Sequence, residues 1–474
     1  EFVLLIDPPD LPSVQTAGTQ GTVVPPAARV IPGDEPRWGN SAPGSTAPLQ
    51  SASSSLSTAA PAAAPPVAAA AAPRKAAPKP RPKPVARTQA AAPTKPASAP
   101  PPPVRPQQAA KPASTTDRLV LADARAREAV TKDPRDLALA HGTRLTLERL
   151  GVWAALPTTA IQHIHISHRG GLGRTLIEAV EHDLPALGYV ASAGALAAIL
   201  RDEVAAAGIP VLDETEVTNL AASEDDVIAS LGRAGKPPST LRARLAACAE
   251  GGMRAGDPNV VEHDYGQHAL IADVQVAGGH RHTAFERFTP QGPVALLPKG
   301  PGYALVHVAQ PEIADELLAL GDAAYLARLQ AHIGGRARLT GVGPRLRYPL
   351  VLRYRRSTIA QRTVWLGNAA QTLHPVAGQG FNLSLRDAQA LADALLASEQ
   401  LPGDFAVLQA YRERQRLDQD LTVGFSDKVT RLFGSGQPLL ATGRNLGLLG
   451  LDLLPPAKRW FARQAMGLGT RPDA

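Results

Sequence analysis

The sequence predicts an α/β protein with a mainly β, α+β section set into it and helices at its C-terminal end. Three observations carry this. Two apolar runs, Arg118–Asp123 and Arg362–Leu366, end in an acid or a glycine turn, the pattern of buried parallel strands. Between them, His268–Val276, Thr283–Phe288, Pro293–Leu297 and Tyr303–Val308 read as strands separated by turns. Beyond them, apolar residues recur at helical spacing towards the C-terminus. The 474 residues correspond to two or three domains at about 150 residues each.

The elements follow in order. Asp136–Trp153 carries Leu137, Leu139, Leu145, Leu147 and Leu150 at helical spacing, with Gly151 as a stop. Ile161–Ser167 alternates as a strand does, and Gly170-Gly171 turns it. Ala195–Ala207 reads as a helix, and Ile209–Leu212 as a short strand. Residues 215–249 read as strands joined by polar turns. Pro311–Ile333 is a strongly amphipathic helical region, and Tyr348–Arg356 is strand-like. A long helix is expected over about 382–396, with further helices over about 403–434 and 440–467.

Composition divides the chain. Residues 36–116 hold ten Lys/Arg and no Asp or Glu, whereas residues 117–474 are nearly neutral with 38 bases and 37 acids. Residues 51–116 contain 16 Pro and 22 Ala, so they have few large side chains to bury, and proline forbids regular helix. A disordered leader over 1–116 is expected, either a solvated linker or a basic tether. Trp38 is the single aromatic residue in 36–116, so aromatic residues do not alternate with its charges and nucleic-acid binding is not expected. One Cys excludes a disulfide framework and a Cys-rich zinc site, and no His spacing suggests a metal. No apolar stretch has the length of a spanning helix, and Phe2–Asp7 is too short for a signal-peptide core.

The most informative segment runs Val364-Trp-Leu-Gly367-Asn368-Ala-Ala-Gln-Thr-Leu-His374-Pro375-Val-Ala-Gly378-Gln379-Gly380-Phe381-Asn382-Leu-Ser-Leu-Arg-Asp387. Physically it is a strand, a glycine-containing turn stiffened by Pro375, and a helix start. Backbone N–H groups and the helix dipole at such a start favour an anionic or electron-rich ligand, and glycine lets a flat ligand approach the backbone.

This segment resembles the second flavin-binding motif of the FAD-dependent aromatic-ring hydroxylases, and more closely that of the ubiquinone-biosynthesis hydroxylases of the UbiH/VisC group. The likeness covers about 119–467. It makes Gly367, Asn368, Pro375, Gly378, Gln379, Gly380, Phe381 and Asn382 cofactor-binding residues. By the same resemblance Asp123 stands where an acid holds the adenosine ribose, Arg135 lies near the flavin, and Glu250-Gly251 sits where the family has Asp-Gly. Glu for Asp there adds a methylene. Ala284-Phe-Glu-Arg-Phe288 and Gly292–Pro298 resemble the family's substrate-domain strands.

The resemblance implies a Rossmann-like FAD-binding domain (117–185, 240–262 and 345–400) interleaved with an α+β substrate domain. The mixed segments are 186–239 and 263–344, and 401–474 forms a C-terminal helical region. FAD would be reduced by NAD(P)H and would activate oxygen to hydroxylate a polyprenylated phenol, with no catalytic triad or paired carboxylates needed. Such a substrate implies a cytoplasmic protein acting peripherally at the inner membrane, within a quinone-biosynthesis assembly. Residues 446–461 mix apolar, basic and aromatic residues and suit either an interfacial contact or a packed helix. One departure matters. No Gly-x-Gly-x-x-Gly occurs in the sequence, so the first βα unit of the Rossmann domain is missing or replaced. The alternative to an enzyme is a non-catalytic family member serving as a scaffold.

Overall fold

The computed structural model describes residues 2–6, 119–169, 174–253, 256–375 and 378–434, with isolated positions between 454 and 467. The expectation of disorder over 1–116 is corrected at its start, where Phe2–Ile6 is a strand because its apolar residues pair with two buried strands. The rest of that leader, and most of the expected 440–467 helix, lie outside the described residues.

Six strands form the first sheet, in the order β19 (Ile359–Ala360), β20 (Thr363–Trp365), β12 (Leu245–Cys248), β1 (Phe2–Ile6), β2 (Leu119–Asp123), β8 (Val211–Leu212). β20 runs parallel to β12, and β8 parallel to β2. β1 lies between these two pairs and is antiparallel to both neighbours, with Phe2 opposite Asp123 and Ile6 opposite Leu119 and Leu245. Its sequence, Phe-Val-Leu-Leu-Ile, is apolar on both faces, which a central strand requires. Val3 and Leu5 are buried with Val120, Ala246 and Cys248, while Leu4 packs on the other side with Leu245, Ala247 and Val364. β1 therefore gives the inner edges of β2 and β12 backbone partners, which buried strands need.

A three-stranded sheet of β9 (Glu216–Ala222), β10 (Val227–Gly232) and β11 (Ser239–Ala243) covers the Leu5 side. A second small sheet has the order β3 (Asp136–Ala140), β7 (Gly188–Ser192), β4 (Thr158–Ile161). Against it pack α2 (His141–Arg149) and α3 (Ala193–Ala206), burying Leu139, Leu147, Tyr189 and Leu196. α1 (Arg127–Thr131) lies against α3. The helix expected across 136–153 is thus corrected. Its first five residues are strand, because their backbone groups pair with β7, and the helix begins only at His141.

The largest sheet runs β21 (Gln371–Thr372), β18 (Leu346–Arg355), β13 (Val260–Ala277), β16 (Gly302–Ala309), β15 (Gly292–Lys299), β14 (Thr283–Thr289), β5 (His163–His168), β6 (Arg174–Glu178), with β17 (Arg338–Val342) beside β13. One face is covered by α4 (Pro311–Ala319) and α5 (Asp322–Ile333), burying Leu270, Leu296, Leu305, Tyr325 and Leu329. The amphipathic stretch 311–333 is two helices rather than one, because Leu320 and Gly321 are extended and Gly321 starts a new one. On the opposite face, Ala284 meets Ile161 and Val190 of the small sheet, and Phe288 meets Met466. α6 (Gln379–Ala397) and α7 (Phe405–Gly434) pack on each other and close the first sheet through Leu391, Leu408 and Tyr411. Among the described residues, no helix is long and apolar enough to cross a membrane.

Candidate flavin-binding site

The site is built at the C-terminal ends of two parallel strands. Ala246, Ala247 and Cys248 of β12 pair with Thr363, Val364 and Trp365 of β20, and Leu366 N donates to Cys248 O at 2.8 Å. This register brings Glu250-Gly251 beside Gly367-Asn368. Open α/β sheets bind ligands in this crevice beyond their strand ends. Gly367 has a φ of +57, and a Cβ there would meet Ser384 Oγ at 3.3 Å, so glycine lets the turn sit close on α6.

The turn then enters α6 through Gly378, which has a φ of +59 and donates its N–H to Pro375 O at 3.0 Å. A Cβ on Gly378 would lie 2.8 Å from the Cβ of Ala138, so the motif and β3 touch at this point. At Gly380 a Cβ would meet nothing within 4 Å. One glycine is therefore required by packing and the other faces open space, as a residue beside a ligand would.

Asn382 fixes this junction. Its Oδ1 accepts from Ala140 N at 2.8 Å and from Thr143 Oγ1 at 2.7 Å. Its Nδ2 donates to Ala138 O at 2.9 Å and to Gly378 O at 2.7 Å. All four groups bond to one side chain that is 1% exposed. Phe381 packs among Leu139, Leu147 and Leu196, so in this structure it is a core residue. Gln379 is also buried.

The other expected site residues stand apart from this junction. Asp123 ends β2 and is buried; its Oδ1 accepts from Arg125 N at 3.0 Å and its Oδ2 from Arg201 Nη2 at 3.1 Å. Arg201 also bonds Asp213 at 2.6 Å, so Asp123 belongs to a buried ion-pair network that competes with a ribose hydroxyl. Arg135, just before β3, grips Asp133 with Nη2 to Oδ2 at 2.6 Å. Burial pushes the Asp133 carboxyl up, but hydrogen bonds and charge from Arg135 outweigh it and hold the group below its ordinary value. Arg135 immediately precedes β3 and stands three residues before Ala138, whose carbonyl Asn382 holds.

The structure adds environments that the sequence motifs did not reveal, at residues inside those motifs (Glu286, His374, Asp387) and outside them (Arg355, Cys248). Arg355 links three parts of the junction. Its guanidinium stacks 4.5 Å from the Trp365 ring, its Nη1 donates to Asp257 at 2.8 Å, and its Nε donates to Ala369 O at 2.9 Å. Asp387 is wholly buried between α6 and α7 and accepts from Gln371 Nε2 at 2.5 Å and Gln419 Nε2 at 3.0 Å. Burial pushes its carboxyl up to about 7 despite those donors. Glu286 alternates with Ala284 and Phe288 on the inner face of β14, and burial pushes it to about 7 as well. His374 packs edge-on against Tyr265, centroids 5.3 Å apart, and burial draws its imidazole down to about 4, so it is a weak base. Burial likewise pushes the Cys248 thiol well up. Spacing shows none of these environments, because each is made by elements distant in sequence. Among the described residues, no group of three or more His, Cys, Asp or Glu is arranged to hold a metal.

The ring end of a flavin fits these residues: an open glycine, a left-handed glycine turn and a helix start meet beside two strand ends. The pyrophosphate end fits less well. β1 runs in reverse, so its exit at Ile6 lies at the opposite edge from Asp123 and Glu250, and no glycine turn follows it.

Comparison with known proteins agrees with the architecture. Residues 118–424 match the family model described as FAD binding domain. The chain is 36% identical over 245 residues to the ubiquinone hydroxylase UbiL of Rhodospirillum rubrum, covering 49% of this chain and 57% of UbiL. That match spans little more than half the length of the relative. The chain is 27% identical over 349 residues to the 3-demethoxyubiquinol 3-hydroxylase of Escherichia coli, covering 71% of this chain and 88% of that protein. Among solved structures, p-nitrophenol 4-monooxygenase PnpA from Pseudomonas putida superposes with a TM-score of 0.59 at 15% identity, covering 74% of this chain and 91% of PnpA.

Proposed function

This chain belongs to the FAD binding domain family, and from that premise we propose that it is an FAD-dependent monooxygenase hydroxylating a polyprenylated phenol on the route to ubiquinone. The observation that carries the proposal is the junction at which Asn382 locks the 367–382 turn onto β3, beside Glu250-Gly251. The names of the relatives, ubiquinone and demethoxyubiquinol hydroxylases, supply the substrate class.

The chemistry that FAD supplies when bound is uptake of reducing equivalents from NAD(P)H and activation of oxygen. The chain's part is to hold, orient and exclude water. Gly367, Asn368, Gly378, Gln379 and Gly380 would line the ring, with Pro375 stiffening the turn. Asn382 and Phe381 would act from behind it, holding the turn in place. Glu250-Gly251 would border the ring from β12. Arg135 would stand near the flavin, and Asp123 would serve the nucleotide side if a ribose hydroxyl displaces part of its pairing with Arg201. Glu286 is assigned to the substrate side. A carboxyl held near neutrality on an apolar face can accept from or donate to a phenol hydroxyl. The substrate's prenyl tail would bring the protein to a membrane surface as a peripheral partner of other quinone-biosynthesis proteins.

A second reading, a non-catalytic scaffold, draws on the reversed β1 and the absent glycine turn. One experiment separates the two. The purified full chain is titrated with FAD, then assayed for NAD(P)H oxidation with a prenylated phenol, with products read by mass spectrometry. Saturable FAD binding and a product that gains one oxygen atom are expected. Protein that stays colourless in excess FAD and yields no oxygenated product would sink the oxygenase reading.

A further inference from the structure

A cluster of cations lies on the α5 side of the largest sheet, facing away from Ala284 and Phe288. Arg287 of β14 is in register with Ser167 of β5, and its Nη1 donates to Ser167 Oγ at 3.3 Å. Its Nε is buried and has no acceptor. Arg169, just past β5, is tied to β14 through its N–H to Phe288 O at 2.8 Å, and its Nη1 lies 3.4 Å from His332 Nδ1. His332 is 5% exposed. A guanidinium can only donate, so that imidazole nitrogen accepts and the ring is neutral.

The charges around this cluster are all of one sign. Burial first, then Arg169, Arg328 and Arg287, hold His332 down at about 4. Burial, then Arg336, Arg174 and Arg287, lower His165, whose Nδ1 is also buried without a partner. Burial, then Arg336 and Arg169, lower Arg287 itself. No carboxylate acts on any of the three. Among the described residues, no acid pairs with Arg169, Arg174, Arg287, Arg328 or Arg336. By contrast Arg201, Arg355 and Arg386 each bridge a carboxylate. The stretch between Arg169 and Arg174 is Gly-Gly-Leu-Gly and contributes no acid either.

Solvated surface arginines spread into water and leave no buried donor idle. Here a half-buried guanidinium with an unused Nε is held by β-sheet register among like charges, and an anion with several oxygens is what would neutralise it. Guanidinium forks match phosphate oxygens in geometry as well as charge. We propose that Arg169, Arg287 and Arg336 form a binding site for a phosphate group, separate from the flavin site and facing away from it. The group can come from a soluble phosphate compound or from an anionic lipid headgroup.

The test uses the full chain and the double variant Arg169→Gln/Arg336→Gln. Both side chains are exposed, so the variant should keep the wild-type melting temperature. Inorganic pyrophosphate is titrated by calorimetry. Vesicles of phosphatidylglycerol, and of phosphatidylcholine as control, are tested by co-sedimentation. Wild type is expected to bind one of the two anionic probes, with affinity falling as salt rises and at least tenfold weaker in the variant. Pyrophosphate binding identifies a soluble ligand, and sedimentation with phosphatidylglycerol alone identifies a membrane. Binding of neither probe, or equal binding by variant and wild type, overturns the site. Because both readouts are independent of flavin and turnover, failure here leaves the oxygenase reading untouched, and the reverse also holds.

Discussion

The two halves of the first sheet are filled by equally apolar strands but offer different edges to a ligand. On one side, parallel β12 and β20 deliver Glu250-Gly251 and the Gly367 turn to the same edge, and α6 is clamped there by Asn382. On the other side, β1 supplies an apolar central strand with full backbone pairing, yet it runs backwards and presents Phe2 at that edge. Filling a sheet and building a backbone cradle are therefore separable tasks. Five apolar residues can complete a core in either direction, because burial of side chains is non-directional. A cradle of N–H groups depends on chain direction, since only the C-terminal end of a parallel strand turns into a helix start aimed at the ligand.

The sharpest test of that contrast removes the clamp. Asn382→Ala takes the side-chain partner from the Ala140 N–H, the Thr143 hydroxyl and the Ala138 carbonyl in a buried setting, and one of two from the Gly378 carbonyl, which as N-cap also accepts within α6. A loss of roughly 4 kcal/mol is expected at ~1–3 kcal/mol per stranded group, with some relief from water. Urea unfolding should show it, together with loss of FAD binding. A variant that unfolds like wild type would mean that the junction is not held this way.

Leu5→Ala probes the other half. Leu5 is fully buried, so the truncation should cost about 2–4 kcal/mol. FAD affinity measured on the folded fraction should not change. A parallel loss of FAD affinity would show that the two halves are coupled and would break the comparison.

The two motif glycines sharpen it further. Gly378→Ala forces a left-handed residue and a Cβ 2.8 Å from Ala138, so about 2 kcal/mol of stability should be lost. Gly380→Ala meets open space in a helical turn, so stability should hold or rise by a few tenths of a kcal/mol. FAD affinity should nevertheless drop, because the added methyl occupies the ligand's side. Thermal melting and flavin fluorescence titration read the two quantities separately. Unchanged FAD affinity in Gly380→Ala would move the ring elsewhere.

The smallest effect at low pH belongs to Asp387. Its folded-state pKa of about 7 stands above the unfolded value, because burial disfavours the charge. The folded chain therefore keeps a proton that the unfolded chain has lost. This group's contribution to stability is full below about pH 4 and declines as pH rises towards about 7. Asp387→Asn removes that ionisation. Its melting temperature should vary less than wild type's between pH 5 and pH 8, with the gap in the variant's favour widening at high pH. Parallel curves for the two proteins would show that the carboxyl is ionised in the folded state.

Much of the fold was legible because strands and long helices leave periodic traces. The runs at Thr283–Phe288 and Tyr303–Val308 read as strands between turns, and Arg362–Leu366 as a buried strand before a glycine turn; strands Thr283–Thr289, Gly302–Ala309 and Thr363–Trp365 stand there. The stretch 136–153 misled because Leu137, Leu139, Leu145, Leu147 and Leu150 fit a helix, while Asp136–Ala140 answers instead to the neighbouring strand β7. The same limit applied to the site. Gly378 and Gly380 look equivalent in sequence, and only Ala138, about 240 residues earlier, distinguishes the glycine required by packing from the one facing open space.

By itself the sequence determined the family, the turn at 367–382 and the absence of a Gly-x-Gly-x-x-Gly fingerprint, because each is a matter of which residues stand next to each other along the chain. Only the tertiary structure decided that β1 runs backwards, that Asp123 is already engaged by Arg201, and that Asp387 and Glu286 sit in surroundings that favour their protons. Direction in a sheet, ion pairing and burial are properties of neighbours in space, and the partners that set them here lie tens to hundreds of residues apart.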